Sequence, residues 1–93
     1  MNVVHVDGKN KGDIMLYAIS TCGWCKKTKK LLNNLGVKYR YIDVDLLDKV
    51  EKEKIEEEVK RWNPKCNYPT MVINDNKYIV GFKEEEVREV LQL

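Results

Sequence analysis

No stretch of these 93 residues approaches the roughly eighteen consecutive apolar positions a membrane-crossing helix needs. The segment Met1 to Asp7 offers only Val3 and Val4 before His5 interrupts them, well short of the apolar core of a secretory signal. An excess of one charge is lacking too: 17 Lys and Arg against 15 Asp and Glu leave a formal +2, too little to imply a nucleic-acid partner. Cysteine is scarce and odd in number, three in all, whereas a secreted scaffold of this size carries a larger, even set. Five glycines and two prolines in a chain that is 43% hydrophobic exclude a fibrous repeat and a disordered segment. The length holds one core, so a second domain is excluded as well. The expected protein is a monomer in a reducing cytoplasm, where a lasting structural disulfide is rare and a cysteine pair reads as redox-active or metal-binding.

What is present is an alternation of strand and helix patterns. Val3 to Val6 is a short β-like run, followed by a polar stretch, Asp7 to Gly12, rich in turn formers. Residues 1–12 are read as an extension able to add an edge strand, and 13–93 as the single domain. Ile14 to Ile19 is a near-continuous apolar run, the pattern of a strand covered on both faces. Cys22 to Leu35 reads as a helix with Thr28, Leu31, Leu32 and Leu35 on one face, stopped by Gly36. Val37 to Val44 reads as a second strand, and Leu46 to Trp62 as a helix whose buried seam is Leu47, Val50, Ile55, Val59 and Trp62. Eleven of the fourteen residues from Asp48 to Arg61 are charged. The spacing reads as a solvated face supported by Glu56–Lys60 and Glu57–Arg61 pairs rather than a docking surface. After a loop, Asn63 to Pro69, come Thr70–Ile73 and Lys77–Val80, two short strands in a hairpin, and a last helix from Lys83 to Leu91 burying Val87, Val90 and Leu91. The order is β-α-β-α-β-β-α. Strands joined through a helix lie parallel and the hairpin is antiparallel, which predicts an α/β fold, a mixed four-stranded sheet flanked by helices on both faces. That arrangement resembles the thioredoxin-like fold.

Thr21-Cys22-Gly23-Trp24-Cys25 falls where the buried strand gives way to a helix, so both sulfurs lie near the first turn and on one side, within bridging reach. A helix N-terminus presents unpaired N–H groups and partial positive charge, which favours an anion there. Lys26 and Lys27 follow at once and Lys29 and Lys30 soon after, adding to that potential. Cys22 precedes the helix and is expected to face outward as the nucleophile, with Cys25 as the resolving thiol. Thiolate exchange then gives two-electron reduction of a substrate disulfide, closing a redox-active Cys22–Cys25 disulfide with no bound cofactor. The competing reading is zinc, which needs four ligands; beyond the pair the chain offers only Cys66 and His5, and His5 reads as a surface residue of the extension.

Tyr68-Pro69-Thr70 stands just before a strand, where a proline that cannot join a ladder belongs. Beside a dithiol, the same residues read as a cis Tyr68–Pro69 bond whose backbone pairs with an extended substrate. Cys66 has three readings: an inert small hydrophobe, a second nucleophile or a regulatory thiol. The first is the expectation, because only Lys65 adds positive charge beside it. Trp24, inside the Cys-Gly-Trp-Cys loop, is expected to contact the partner.

Three segments together resemble the glutaredoxins: Tyr17 to Thr28, Tyr68-Pro69-Thr70 before the hairpin, and Val80-Gly81-Phe82-Lys83 before the last helix. The resemblance spans Ile14 to Leu93. It implies a thioredoxin fold, Cys22 as nucleophile, Cys25 as resolving cysteine, Pro69 as the cis-proline, and a substrate groove drawing on Trp24, Tyr68, Thr70, Gly81 and Phe82. Glutaredoxins that use glutathione usually carry a Gly-Gly pair and an Asp near the last helix, whereas this chain has Val80-Gly81-Phe82-Lys83-Glu84. That turn is more similar to the Ser-Gly-Phe-Arg of NrdH-type redoxins, which serve ribonucleotide reductase. The resemblance therefore implies disulfide-containing protein substrates, ribonucleotide reductase among them. It implies a thioredoxin-reductase-type enzyme, a ferredoxin-linked reductase or glutathione as the source of electrons. Some glutaredoxins instead hold an iron–sulfur cluster between two subunits through the first cysteine, and an intact Cys25 argues against that alternative.

Overall fold

Ile14–Ala18 (β2) runs through the middle of a five-stranded sheet, which is why its sequence is apolar on both alternating faces. A computed structural model describes residues 2–93, so Met1 of the expected extension lies outside the described residues. The remaining elements are β1 (Val4–Val6), α1 (Gly23–Leu35), β3 (Tyr39–Asp43), a 3-10 turn (Val44–Leu46), α2 (Lys49–Trp62), β4 (Thr70–Ile73), β5 (Lys77–Val80) and α3 (Glu84–Val90). The strands lie in the order β1-β3-β2-β4-β5. Parallel β2 and β3 are joined through α1, and every other neighbouring pair is antiparallel. This is the thioredoxin-like α/β arrangement, with β1 supplying a fifth strand on the edge.

Alternation along β2 divides the interior in two. Ile14, Leu16 and Ala18 face Leu31 and Leu32 of α1 and Val87 of α3, while Tyr17 faces Ile55 and Val59 of α2 across the sheet. Thr28, Leu31 and Leu32 of α1 and Val87 of α3 are buried as their spacing predicts, Leu91 is buried just past the end of α3, and Leu35 and Val90 are half-buried. Gly36 ends α1 at φ +67°, a left-handed conformation glycine adopts without steric cost, and its N–H returns to the carbonyls of Asn33 and Leu32.

The second helix departs from the expectation at its start. Asp48 caps it by accepting the Glu51 N–H at 2.9 Å, so the helix begins at Lys49 and not at Leu46. Leu47 reaches the core from the extended segment before the helix. Val50 lies outside the buried seam, at 63% exposure. Five residues before Ile55, it is turned about 140° away from the face carrying Ile55 and Val59. Nor do the expected Glu56–Lys60 and Glu57–Arg61 pairs form: among the described residues the ion pairs are Lys29–Asp43, Arg40–Asp13 and Arg88–Glu84.

The extension is built into the sheet. Lys9 donates its N–H to Gly36 O at 2.8 Å and accepts that of Lys38 at 2.9 Å. Gly8 approaches the chain so closely that a Cβ there would stand 2.5 Å from the carbonyl carbon of Val37 and 2.6 Å from Gly36 O.

Candidate active site

The chain leaves β2 at Ala18, turns through Ile19 to Thr21 and enters α1 at Gly23. Two contacts shape that turn. The Cys22 N–H bonds back to Ile19 O at 3.1 Å, and Asp45 accepts both the N–H of Ser20, at 2.8 Å, and its hydroxyl, at 2.5 Å. Cys22 is the N-cap of α1, and its Sγ accepts the Cys25 N–H at 3.2 Å, so the sulfur lies over the free amides of the first turn. Cys22 is half-buried and Cys25 fully buried, the two exposures expected of an attacking and a resolving thiol. All three cysteines are free.

Burial pushes the Cys25 thiol up to about 12, reinforced by its hydrogen bond with Cys22 and by the charge Cys22 can carry. A backbone hydrogen bond at Ile19 and the ammonium of Lys29 act in the opposite direction. Two of the upward influences come from Cys22 itself. Lys29 is fixed by an ion pair to Asp43 at 2.8 Å and lies 4.1 Å from the centroid of the Tyr41 ring. Lys26 and Lys27 are the other lysines expected to add positive potential at this turn. Lys26 is exposed and its N–H closes the first turn on Cys22 O, while Lys27 places its ammonium 4.5 Å from the centroid of Trp24.

The register of β2 against β4 sets Tyr17 opposite Thr70, which brings Pro69 to the end of β2 from which the cysteine turn departs. The Tyr68–Pro69 bond is cis, as expected. Pro69 O accepts the N–H of Gly81 at 2.8 Å, and Gly81 has φ +84°, the left-handed region that favours glycine. Trp24, Tyr68, Pro69, Gly81, Phe82 and Lys83 line one groove of about 290 Å³. Five of the six are residues named from the sequence; Lys83 is added by the structure. Trp24, 58% exposed, stacks on Phe82 with ring centroids 6.1 Å apart.

Thr70 does not face that groove. It is fully buried, donates its hydroxyl to Asn67 O at 2.8 Å and accepts from Asn63 Nδ2 at 3.2 Å, so it braces the loop before Pro69. Asn63 and Asn67 complete the brace, and the sequence signal for Asn63 was its place between the end of α2 and a proline. Ser20 and Asp45 carried no such signal, because 25 residues separate them. Cys66 lies on the other side of Tyr68, its Sγ 3.7 Å from the Tyr68 hydroxyl and 3.8 Å from Glu56 O, packed toward α2. His5 is exposed on the edge strand opposite Arg40. Among the described residues no group of three or more His, Cys, Asp or Glu side chains is placed to hold a metal ion, so Cys22, Cys25, Cys66 and His5 do not form a zinc ligand set. Nor is any helix among them long and apolar enough to cross a membrane. A larger cavity of about 490 Å³, between His5, Asp13 and Arg40, lies at the opposite end of β2 from the dithiol.

Residues 14–79 match the family model Glutaredoxin. The glutaredoxin of Methanosarcina mazei Go1 has a crystal structure that superposes with a TM-score of 0.92 at 53% identity, over 98% of this chain and 88% of that one. The methanoredoxin of Methanosarcina acetivorans superposes at 0.90 with 51% identity, over 92% and 90%. In sequence, an uncharacterized glutaredoxin-like 8.6 kDa protein in the rubredoxin operon of Clostridium pasteurianum is 30% identical over 79 residues, which is 85% of this chain and 97% of that protein.

Proposed function

The chain belongs to the glutaredoxin family, and on that premise we propose that this thiol oxidoreductase reduces protein disulfides through both of its cysteines. The Cys22 thiolate attacks one sulfur of the substrate disulfide. A mixed disulfide forms and the first substrate thiolate leaves, taking up a proton. Cys25 loses its proton and attacks Cys22 Sγ; the second substrate thiol departs, and two electrons have passed from the pair to the substrate as Cys22–Cys25 closes. The observation that carries this reading is the N-cap geometry, with a half-exposed Cys22 sulfur over the first-turn amides and a buried Cys25 one turn on. The extended substrate lies along the Trp24, Tyr68, Pro69, Gly81 and Phe82 groove, pairing with the backbone before Pro69. The protein acts as a monomer in a reducing cytoplasm.

Replacing Cys22→Ser abolishes reduction of a protein disulfide, and Cys25→Ser accumulates the mixed disulfide, read by intact mass under non-reducing conditions. A Cys25→Ser protein that turns over at the wild-type rate refutes the dithiol scheme. Re-reduction falls to glutathione, to a thioredoxin-reductase-type enzyme or to a ferredoxin-linked one. Mixing the oxidised protein with each separately identifies which.

A further inference from the structure

Phe82 stands between two grooves. One is the groove beside Pro69. The other is a depression of about 220 Å³ between α1 and α3, lined by Lys27, Lys30, Asn34, Phe82, Glu84 and Arg88. Its charge is one-sided. Glu84 already pairs with Arg88 at 3.0 Å, and among the described residues neither Lys27 nor Lys30 has a carboxylate partner. Lys83, exposed on the near groove, is likewise unpaired, and the first turn of α1 holds no acidic residue. The first turn of α3 carries Glu84, Glu85 and Glu86, but with Glu84 engaged by Arg88 the cations on the walls of the depression outnumber its one carboxylate, which favours an anionic visitor. Phe82 lines both depressions and stacks on Trp24, so a ligand reaching from the Pro69 groove into this one passes over that aromatic ridge.

We propose that the depression between α1 and α3 receives an acidic side chain of the protein segment whose disulfide Cys22 attacks, so that Lys27 and Lys30 select acidic segments a few residues from the cystine. The inference rests on the dithiol reading and adds a substrate class to it. The backbone of the segment lies in the Pro69 groove, the Trp24–Phe82 ridge takes an apolar residue, and the carboxylate passes beyond it.

The test uses two short peptides, each closed by its own disulfide, identical except for two Glu or two Gln placed two to four residues after the second cysteine. For the wild-type protein, kcat/KM is about fivefold higher for the Glu peptide at about 0.02 M salt, and the preference disappears near 0.5 M. Lys30→Glu inverts the preference, whereas Lys77→Glu, the same change of net charge on the far hairpin, leaves it in place. Equal rates for the two peptides overturn the inference and leave the dithiol reading standing. A protein that reduces neither peptide sinks that reading and the inference with it. The inference also falls if Lys77→Glu acts as strongly as Lys30→Glu, since net charge then explains the selection. It falls equally if reduction of a small anionic disulfide depends on Lys30 as much as reduction of the Glu peptide does, since the depression is then a small-thiol subsite.

Discussion

Removing the Asp45 side chain should loosen the turn that carries Cys22. Asp45 is exposed, yet it accepts two hydrogen bonds from Ser20, at 2.8 Å from the N–H and 2.5 Å from the hydroxyl, and so ties the 3-10 turn after β3 to the chain leaving β2. At an exposed site each such bond contributes about 0.5–1 kcal/mol net, so Asp45→Ala should cost about 1–2 kcal/mol. In a domain of this size that lowers Tm by roughly 4–16 °C. Because Cys22 is three residues beyond Ile19, whose carbonyl its N–H meets, the freed turn should also cut kcat for disulfide reduction about three- to tenfold. Acid provides an independent check. The hydrogen bond from the Ser20 hydroxyl, and then that from its N–H, hold the Asp45 carboxyl below its ordinary value of 3.8. A lowered value means the stabilisation is present above the unfolded pKa and is lost as pH falls through the folded one. The Tm gap between wild type and Asp45→Ala should therefore narrow below about pH 4. Asp45→Asn, which keeps an acceptor for the Ser20 N–H and can donate to its hydroxyl, should recover most of the neutral-pH loss without the acid dependence. An Asp45→Ala protein with Tm and kcat unchanged at pH 7 would refute the reasoning.

Alkali should destabilise the fold. Burial is the leading cause raising Cys25, Tyr17 and Tyr39 to about 12, against ordinary values of 9.0, 10.0 and 10.0. The stability they contribute is intact below the unfolded values and declines as pH rises toward 12. Urea midpoints measured from about pH 8 to 11.5 should fall, and Cys25→Ala should flatten the early part of the decline; a level profile contradicts this. Gly8→Ala places a Cβ against the backbone of Gly36, Val37 and Lys38 and should cost about 1–3 kcal/mol, read as a lower Tm. An unchanged melting curve would mean that the extension shifts without cost.

The parts of the molecule legible in its sequence are those whose physical cause is local. β2 could be read because a central strand covered on both faces must be apolar throughout, and the end of α1 because only glycine takes the left-handed position at residue 36 easily. The start of α2 was obscured by Leu46 and Leu47, which mimic the opening of a helical stripe. The deciding signal was Asp48 three residues before Glu51, a cap that outweighs propensity at a helix start. In the site, Cys22, Cys25, Pro69, Gly81 and Phe82 announce themselves by motif. What their motifs do not carry is the partner each meets across the fold: Asp45 for Ser20, Phe82 for Trp24, Asn63 for Thr70. Only the sheet register and helix packing bring those pairs together. The consequence falls on specificity more than on chemistry. The proposed thiol exchange draws on a capped Cys22 and a buried Cys25 one turn apart, which a five-residue motif encodes. On the proposed reading the choice among disulfides falls to the groove walls, where α1, the Pro69 loop and the start of α3 each supply one side.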